Sequence, residues 1–598
     1  MPVGIPVGMP VGQETVSALS VPCGRLSPGS VATLRAGWTT SHPDAGPPIR
    51  RPHLEPHVTT TSAPAAPPQY PDKIDGAVLK IAGVVVLGAI MSILDITVVN
   101  VALPTFQVEF GAPGEPLPYS TVAWTVTAYT LALATVIPLT GWAADRFGTK
   151  RLYMVALLLF TLGSALCAMA TSIGMLIGFR TLQGLGGGML MPLGMTIMTR
   201  AAGPARMGRL MAILGVPMLL GPIFGPILGG WLIENYSWPW IFLINVPIGA
   251  VALVYALKVL ASDRPQPSES FDWIGMALMS PGLALFLYGI SSIPGEGTFF
   301  SPKVIIPGTI GLLMVIGFVF WSFRPVHPLL DLRLFRNRNL TVSIITMFLF
   351  AAAFFGGLLL VPTYFQQVRG ETALQAGWLM AVQGFGAMIT MPIAGALMDK
   401  LPVGRIVPFG LVLIIGGMYA LTTLTATTPY TFILPVLFIM GLGMGATMMP
   451  LMTSALKTLK SHDVARGSTL LNITQQVASS IGVAVMSVVL TTGLKDDPLL
   501  KASQAFNEAS AGVTDPERLG AIAAQFPQVA ELLARGQEAL MLAVHEAMAA
   551  AFSTTFWVAA VLLTLTLVPA FFLPRKHEES HLLDDADADD VAPAVVLH

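Results

Sequence analysis

From Lys80 onward the chain alternates between apolar runs of about twenty residues and short polar breaks rich in Gly, Pro and charge. Wound as a helix, a run of that length covers the ~30 Å of hydrocarbon in a bilayer and satisfies its own backbone hydrogen bonds there. The pattern predicts about fourteen transmembrane helices, at 79–103, 121–142, 152–171, 174–199, 207–232, 239–261, 273–293, 304–323, 341–366, 373–398, 405–425, 430–455, 467–492 and 548–573. The expected fold class is therefore an all-α integral membrane protein.

Three stretches depart from the rhythm. Residues 1–72 open with a repeated PVG and are rich in Pro, Ser, Thr and Ala, a composition that cannot bury a core, so a disordered tail is expected. It contains no apolar core followed by a small-residue cleavage site, which excludes a signal peptide there. Residues 574–598 include the acidic run HLLDDADADD and are expected to be solvated and disordered. Between the last two spans, 493–547 is polar and Ala-rich, with helical periodicity from about Pro516 to Ala547 broken at Pro527. An amphipathic hairpin over the outer mouth is expected from it.

Composition agrees with the pattern. Of 598 residues, 54% are hydrophobic and 11% charged, with mean hydropathy +0.71, against ~25% charged in a soluble domain. A net charge of −1 and the lack of any basic block interleaved with aromatics exclude nucleic acid as a partner. Cys23 and Cys167 have no metal-ligand spacing, and HExxH, Walker-type and GxSxG sequences do not occur. No enzyme, metal or cofactor is expected, and an ATP motor on this chain is disfavoured.

Charge also orients the helices. Loops after even-numbered spans carry Arg146, Lys150, Arg151, Arg206, Arg209, Lys258, Arg333, Lys400, Lys457 and Arg466 among others, whereas short loops on the other side offer Lys303 and Arg369. The positive-inside rule places both termini in the cytoplasm and the chain in the plasma membrane.

Candidate chemistry begins with Asp95, in ILDITVVNVALP of the first span. A charge at the bilayer centre is disfavoured by at least ~2.5–3.5 kcal/mol, so such an acid faces protein or a watery cavity and either works there or sits in a permanent ion pair. Span four, RTLQGLGGGMLMPLGMTI, carries Arg180, which cannot deprotonate and needs a partner. The two spans run in opposite directions and each charge lies some ~12–13 Å from its span's outer end, so they can meet at one depth. Desolvation favours a neutral acid and a guanidinium a charged one, and the balance must leave Asp95 able to exchange its proton.

Three further stretches carry signals. GWAADRFGTKR after span two gathers Gly141, Asp145, Arg146, Gly148, Lys150 and Arg151 in a tight turn that can latch onto a neighbouring helix end. A weaker copy at Gly395 to Arg405, with Asp399 and Arg405, implies an internal repeat. Span five, GVPMLLGPIFGPILGGWL, sets Gly221, Gly225, Gly229 and Gly230 for close helix packing, with Pro222 and Pro226 removing backbone donors. It reads either as a rigid seam or as a hinge.

These stretches, in this order and on these spans, resemble the signature motifs of the major facilitator superfamily. Fourteen spans and an LDxTVVNVALP first helix look like its fourteen-helix drug:proton antiporter branch, and LLNITQQVASSIGVAV at Leu470 to Val485 is also similar. The sequence departs from the pattern at Ala212, where a glycine is expected, and in the degenerate loop at 395–405.

The resemblance implies two six-helix bundles, 79–261 and 341–573, with 273–323 as an inserted pair, working by alternating access and powered by the proton gradient. It implies multidrug efflux, with one endogenous lipid, siderophore or metabolite as the alternative cargo and a non-transporting receptor as the alternative class. Asp95 and Arg180 would couple protons, the two loops would gate, and the glycine-proline seam would be the antiporter hinge. Trp124, Tyr129, Gln183, Asn472 and Gln476 are the expected lining of a cavity for small lipophilic substrates. Protons and the lipid bilayer are the other partners, and no protein partner is implied.

Overall fold

The computed structural model describes residues 75–576 apart from 113–114, 116, 262–269, 297, 399, 461–462 and 511–515. The expected tail at 1–72, most of the acidic tail and Asp399 lie outside the described residues. The described chain is helical, and no strand occurs among its described residues.

In the first half, α1 spans Gly76–Glu109, α2 Tyr119–Phe147, α3 Thr149–Ala168 and α4 Ile173–Asn235; a single turn α5, Trp240–Leu243, leads into α6, Asn245–Val259. The pair α7, Trp273–Glu296, and α8, Pro302–Trp321, follows. The second half comprises α9 Arg338–Gln367, α10 Ala373–Met398, α11 Val403–Leu421, α12 Tyr430–Gly445, α13 Met448–Lys457, α14 Val464–Asp496 and α18 Gln537–Ala570. Between α14 and α18 stand the short helices α15 Pro498–Ser510, α16 Pro516–Ala523 and α17 Pro527–Ala534.

Twelve helical segments among the described residues are long and apolar enough to cross a membrane. They match twelve of the expected spans; the fourth and fifth lie together in α4, which is not one of these twelve and stays helical through the break at 200–206. Pro204 lies inside this continuous helix, where its missing N–H removes one intrahelical hydrogen bond. Local side chains set several starts. The Asp75 carboxylate accepts from Val78 N at 2.8 Å, and the Ser172 hydroxyl from Met175 N at 3.3 Å. Asp272, buried just before α7, accepts from Gly275 N, from Trp321 Nε1 and from Leu329 N, which ties the start of α7 to the end of α8.

The halves meet near the basic loops. A Cβ on Gly395 of α10 would come within 2.7 Å of Gly208 O, and one on Gly215 within 2.4 Å of Met391 Cε, so α4 and α10 pack almost backbone to backbone. Thr196 and Ser468 share a hydrogen bond of 3.0 Å, Ser468 also donates to Pro192 O, and Asn472 Nδ2 donates to Met195 Sδ at 3.2 Å. One buried apolar cluster runs from Val85, Met195 and Met211 into Met391, Met449 and Leu456. Toward the opposite end, the cluster of Val98, Phe106, Val122, Leu176, Trp238 and Phe242 is made by the first half alone.

The segment between α14 and α18 forms three helices rather than a hairpin. Pro527 opens α17, and the main contacts of α15 to α17 are with one another, α14 and α18. This insertion therefore sits on the second half.

Candidate functional site

Asp95 lies near the middle of α1, 2% exposed, beside a fully buried Arg180 from α4. Arg180 Nη1 donates to Asp95 Oδ2 in a buried ion pair. The matching depths expected of the two charges are realised. Leaving either charge alone in this interior would cost about 3–5 kcal/mol, which is why the pair is surrounded by further polar groups.

Those groups come from α4 itself and from α2, α3 and α6. Gln183, one turn after Arg180, donates from Nε2 to Asp95 Oδ1 at 2.8 Å and accepts from Arg180 Nη1 at 2.8 Å through Oε1. Asn245, at the first residue of α6, donates from Nδ2 to the same Asp95 oxygen at 3.3 Å. Both carboxamides also donate to Ser164 Oγ on α3, at 2.7 and 3.1 Å. From α2, Thr125 O accepts from Arg180 Nε at 3.1 Å, and the Tyr129 ring lies 4.1 Å from the guanidinium carbon, within cation–π range. The Phe242 ring of α5 stands 5.8 Å away on another side.

Glycines make this convergence possible. A Cβ on Gly184 would lie 2.5 Å from Tyr129 O, and one on Gly186 2.5 Å from Phe160 N. The first half of α4 thus presses against α2 and α3, carrying Arg180 and Gln183 into their midst.

The seam on the second half of α4 packs on α1 at the same level. A Cβ at Gly221 would fall 2.1 Å from Ile93 Cγ2, at Gly225 1.9 Å from Thr97 Oγ1 and at Gly229 3.1 Å from Val98 Cγ1. Thr97 Oγ1 donates to Gly221 O at 3.1 Å. Gly230 meets nothing within 4 Å and is not part of the seam. Pro222 and Pro226 lie within the same unbroken helix.

At the basic loops, Gly148 alone links α2 to α3 with φ +86°, a conformation that favours glycine. Asp145 reaches across to Arg466 at the start of α14, Oδ2 to Nε 3.6 Å, and a Cβ on Gly141 would contact Thr469 and Arg466. Arg146 sits half-buried on the last turn of α2, where a cation complements the helix dipole. Lys150 Nζ donates to Leu257 O at 3.1 Å and to Leu260 O, bracing the end of α6. Arg151 and Arg405 are exposed. Gly404 N donates to Pro574 O at 2.9 Å, so the end of the second loop packs on the chain after α18, whereas Gly395 at its start packs on α4.

The model of the family described as Major Facilitator Superfamily matches residues 85–483. The chain belongs to the major facilitator superfamily. Among relatives within the superfamily, it is 47% identical over 515 residues to the "Multidrug resistance protein B homolog" of Mycobacterium tuberculosis strain H37Rv, covering 86% of this chain and 93% of that one. It is 32% identical over 434 residues to the "Multidrug export protein EmrB" of Escherichia coli K12, covering 71% and 82%. Among solved structures, its fold is similar to that of the human organic anion transporter MFSD10, with TM-score 0.52 and 17% identity over 83% of this chain and all of that one.

For this superfamily member, two of the five side chains expected to line a cavity lie elsewhere. Tyr129 and Gln183 are fully buried in the shell of the Asp95–Arg180 pair, with Tyr129 also sharing a 3.4 Å hydrogen bond with Ser92. Trp124 is 41% exposed and stacks on Tyr288 of α7 at 5.6 Å, while Asn472 and Gln476 are half-buried on α14. The sequence reading missed Asn245, Ser164 and Thr125, which carry no charge to mark them. It also counted Arg466 only among loop cations, although it is the partner of Asp145.

Proposed function

We propose that this chain is a proton-coupled multidrug efflux transporter, exporting lipophilic or cationic compounds by alternating access in exchange for protons. The names of the mycobacterial and Escherichia coli relatives support the reading. The observation that carries it is the double use of α1. One face holds Asp95 in the polar network, and Ile93, Thr97 and Val98 bear the glycine seam of α4. A change in the charge of Asp95 is therefore felt at the contact between two helices whose relative movement would open or close a cavity.

With the chain in the plasma membrane and the basic loops and both termini cytoplasmic, the contacts between halves make a cytoplasmic seal, and the conformation faces outward. Asp145, Arg466 and Gly141 latch that seal. Trp124, Asn472 and Gln476 offer rings and amides toward the space between halves, for small lipophilic substrates. The proton gradient supplies the energy, the bilayer is the working medium, and the chain acts as a carrier without a cofactor or enzymatic step.

The test is ethidium efflux from proteoliposomes driven by an imposed pH gradient, with proton release on ethidium addition measured in the same preparation. Asp95→Asn should abolish both gradient-driven efflux and proton release. Wild-type rates in that variant would sink the assignment.

A further inference from the structure

We propose that Asn245 is a positioning residue that serves both protonation states of Asp95 by inverting its carboxamide. The proposal rests on Asp95 as the exchanging acid. In the charged state every recorded neighbour donates to the carboxylate: Arg180 to Oδ2, and Gln183 and Asn245 to Oδ1 at 2.8 and 3.3 Å. That arrangement suits an anion and leaves a protonated acid with no acceptor for its new O–H.

Candidate acceptors around Asp95 are few. Gln183 Oε1 is held by Arg180 and approached by Cys167 Sγ at 3.6 Å, and Thr125 O is held by Arg180. The titratable or charged groups facing the acid are Arg180 from α4, Tyr129 from α2 and Cys167 from α3. From α6 it meets Asn245, and from α5 the Phe242 ring stands beside Arg180; neither titrates. Asn245 differs from the other donors because a half-turn about its Cβ–Cγ bond exchanges N–H for C=O at the same place.

The balance closes within the network. A proton arriving from water adds to Asp95 Oδ1, which then donates to the inverted Asn245 Oδ1 while still accepting from Gln183 Nε2. Ser164 Oγ, which receives Nδ2 of Asn245 at 3.1 Å in the present arrangement, turns its own hydrogen toward the same amide oxygen. It continues to accept from Gln183 Nε2 at 2.7 Å. Release of the proton reverses both rotations, so the Asp95 carboxyl and Gln183 keep partners in both states. Because Asn245 opens α6 and Ser164 lies on α3, each exchange also resets the contact among α1, α3 and α6.

Asp95 can be titrated directly, without transport, through the infrared band of its protonated carboxyl, identified as the band that Asp95→Asn removes from the full chain in lipid. Asn245→Leu keeps the shape and fills the space against water, but removes the acceptor of the neutral acid. The anion keeps Arg180 and Gln183. The neutral form therefore loses more, and the band's midpoint should move to lower pH by about one unit. Ser164→Ala should move it in the same direction by less, and stands in if Asn245→Leu does not fold. An unmoved midpoint in both variants, or a move to higher pH, overturns the inversion. If the midpoint moves as expected while ethidium efflux in the same vesicles ignores the pH gradient, the transport reading falls and the role of Asn245 stands.

Discussion

In the first half, α1, α3, α4 and α6 converge on a carboxylate, a guanidinium, two carboxamides and a hydroxyl. In the second half, α9, α11, α12 and α18 converge on Met347, Phe350, Phe354, Met418, Met440 and Phe556. The buried charged side chain among the described residues of that half is Arg466, at its basic-loop end. The two halves are thus held by different physics. A buried polar network is all or nothing, since removing one member strands the others. A core of methionine and phenylalanine tolerates change as long as volume is kept, because flexible thioethers repack. On the proposed mechanism, proton exchange falls to the first half, and the second would move as a packed body against it.

The largest break in that comparison is Arg180→Leu. It removes the charge that matches Asp95 and leaves the carboxylate with two neutral donors, at a cost of about 3–5 kcal/mol near neutral pH. An unpaired buried carboxylate is relieved by protonation, so the variant should be most stable in acid and lose stability as pH rises. Thermal unfolding in detergent across pH is the measurement. A variant as stable as the parent at pH 7 would mean that the first half does not depend on a matched pair.

A smaller effect is expected at the seam. Gly225→Val places a Cβ 1.9 Å from Thr97 Oγ1, and α1 and α4 must separate, at a cost of about 1–3 kcal/mol. Gly230→Val is the control, since nothing stands within 4 Å of that Cβ. Efflux and unfolding temperature should fall in the first and stay near parent values in the second. Equal losses in both would make the seam a matter of glycine content and not of contact with α1.

How far each of these features could be read from sequence follows from what marks it. The apolar runs marked the spans because lipid forbids unpaired backbone, and Asp95 and Arg180 marked each other because a charge in hydrocarbon demands a partner at its own depth. Gly221, Gly225 and Gly229 showed their four-residue period, but Gly230 shared the run without sharing the face. Asn245 and Ser164 were not legible: small neutral polar residues are common in spans, and their meeting depends on how α3 and α6 are rotated about their axes. Tyr129 and Gln183 were misplaced to the cavity for the same reason. The pairing of Asp145 with Arg466 spans the two halves, which a linear pattern does not encode.

The smallest effect should come from the second half. Gln383 of α10 is 4% exposed, and its Oε1 has no hydrogen-bond partner. It lies where α10 and α12 approach so closely that a Cβ on Gly441 would sit 2.0 Å from Gln383 O. Gln383→Leu keeps the volume and removes a stranded acceptor, so stability should hold or rise by up to about 1 kcal/mol. The pH dependence of ethidium efflux should match the parent, because the proposed exchange runs through Asp95 in the first half. A shifted pH midpoint in Gln383→Leu, with the protein still folded, would place a second polar element in the exchange and end the division of labour between the halves.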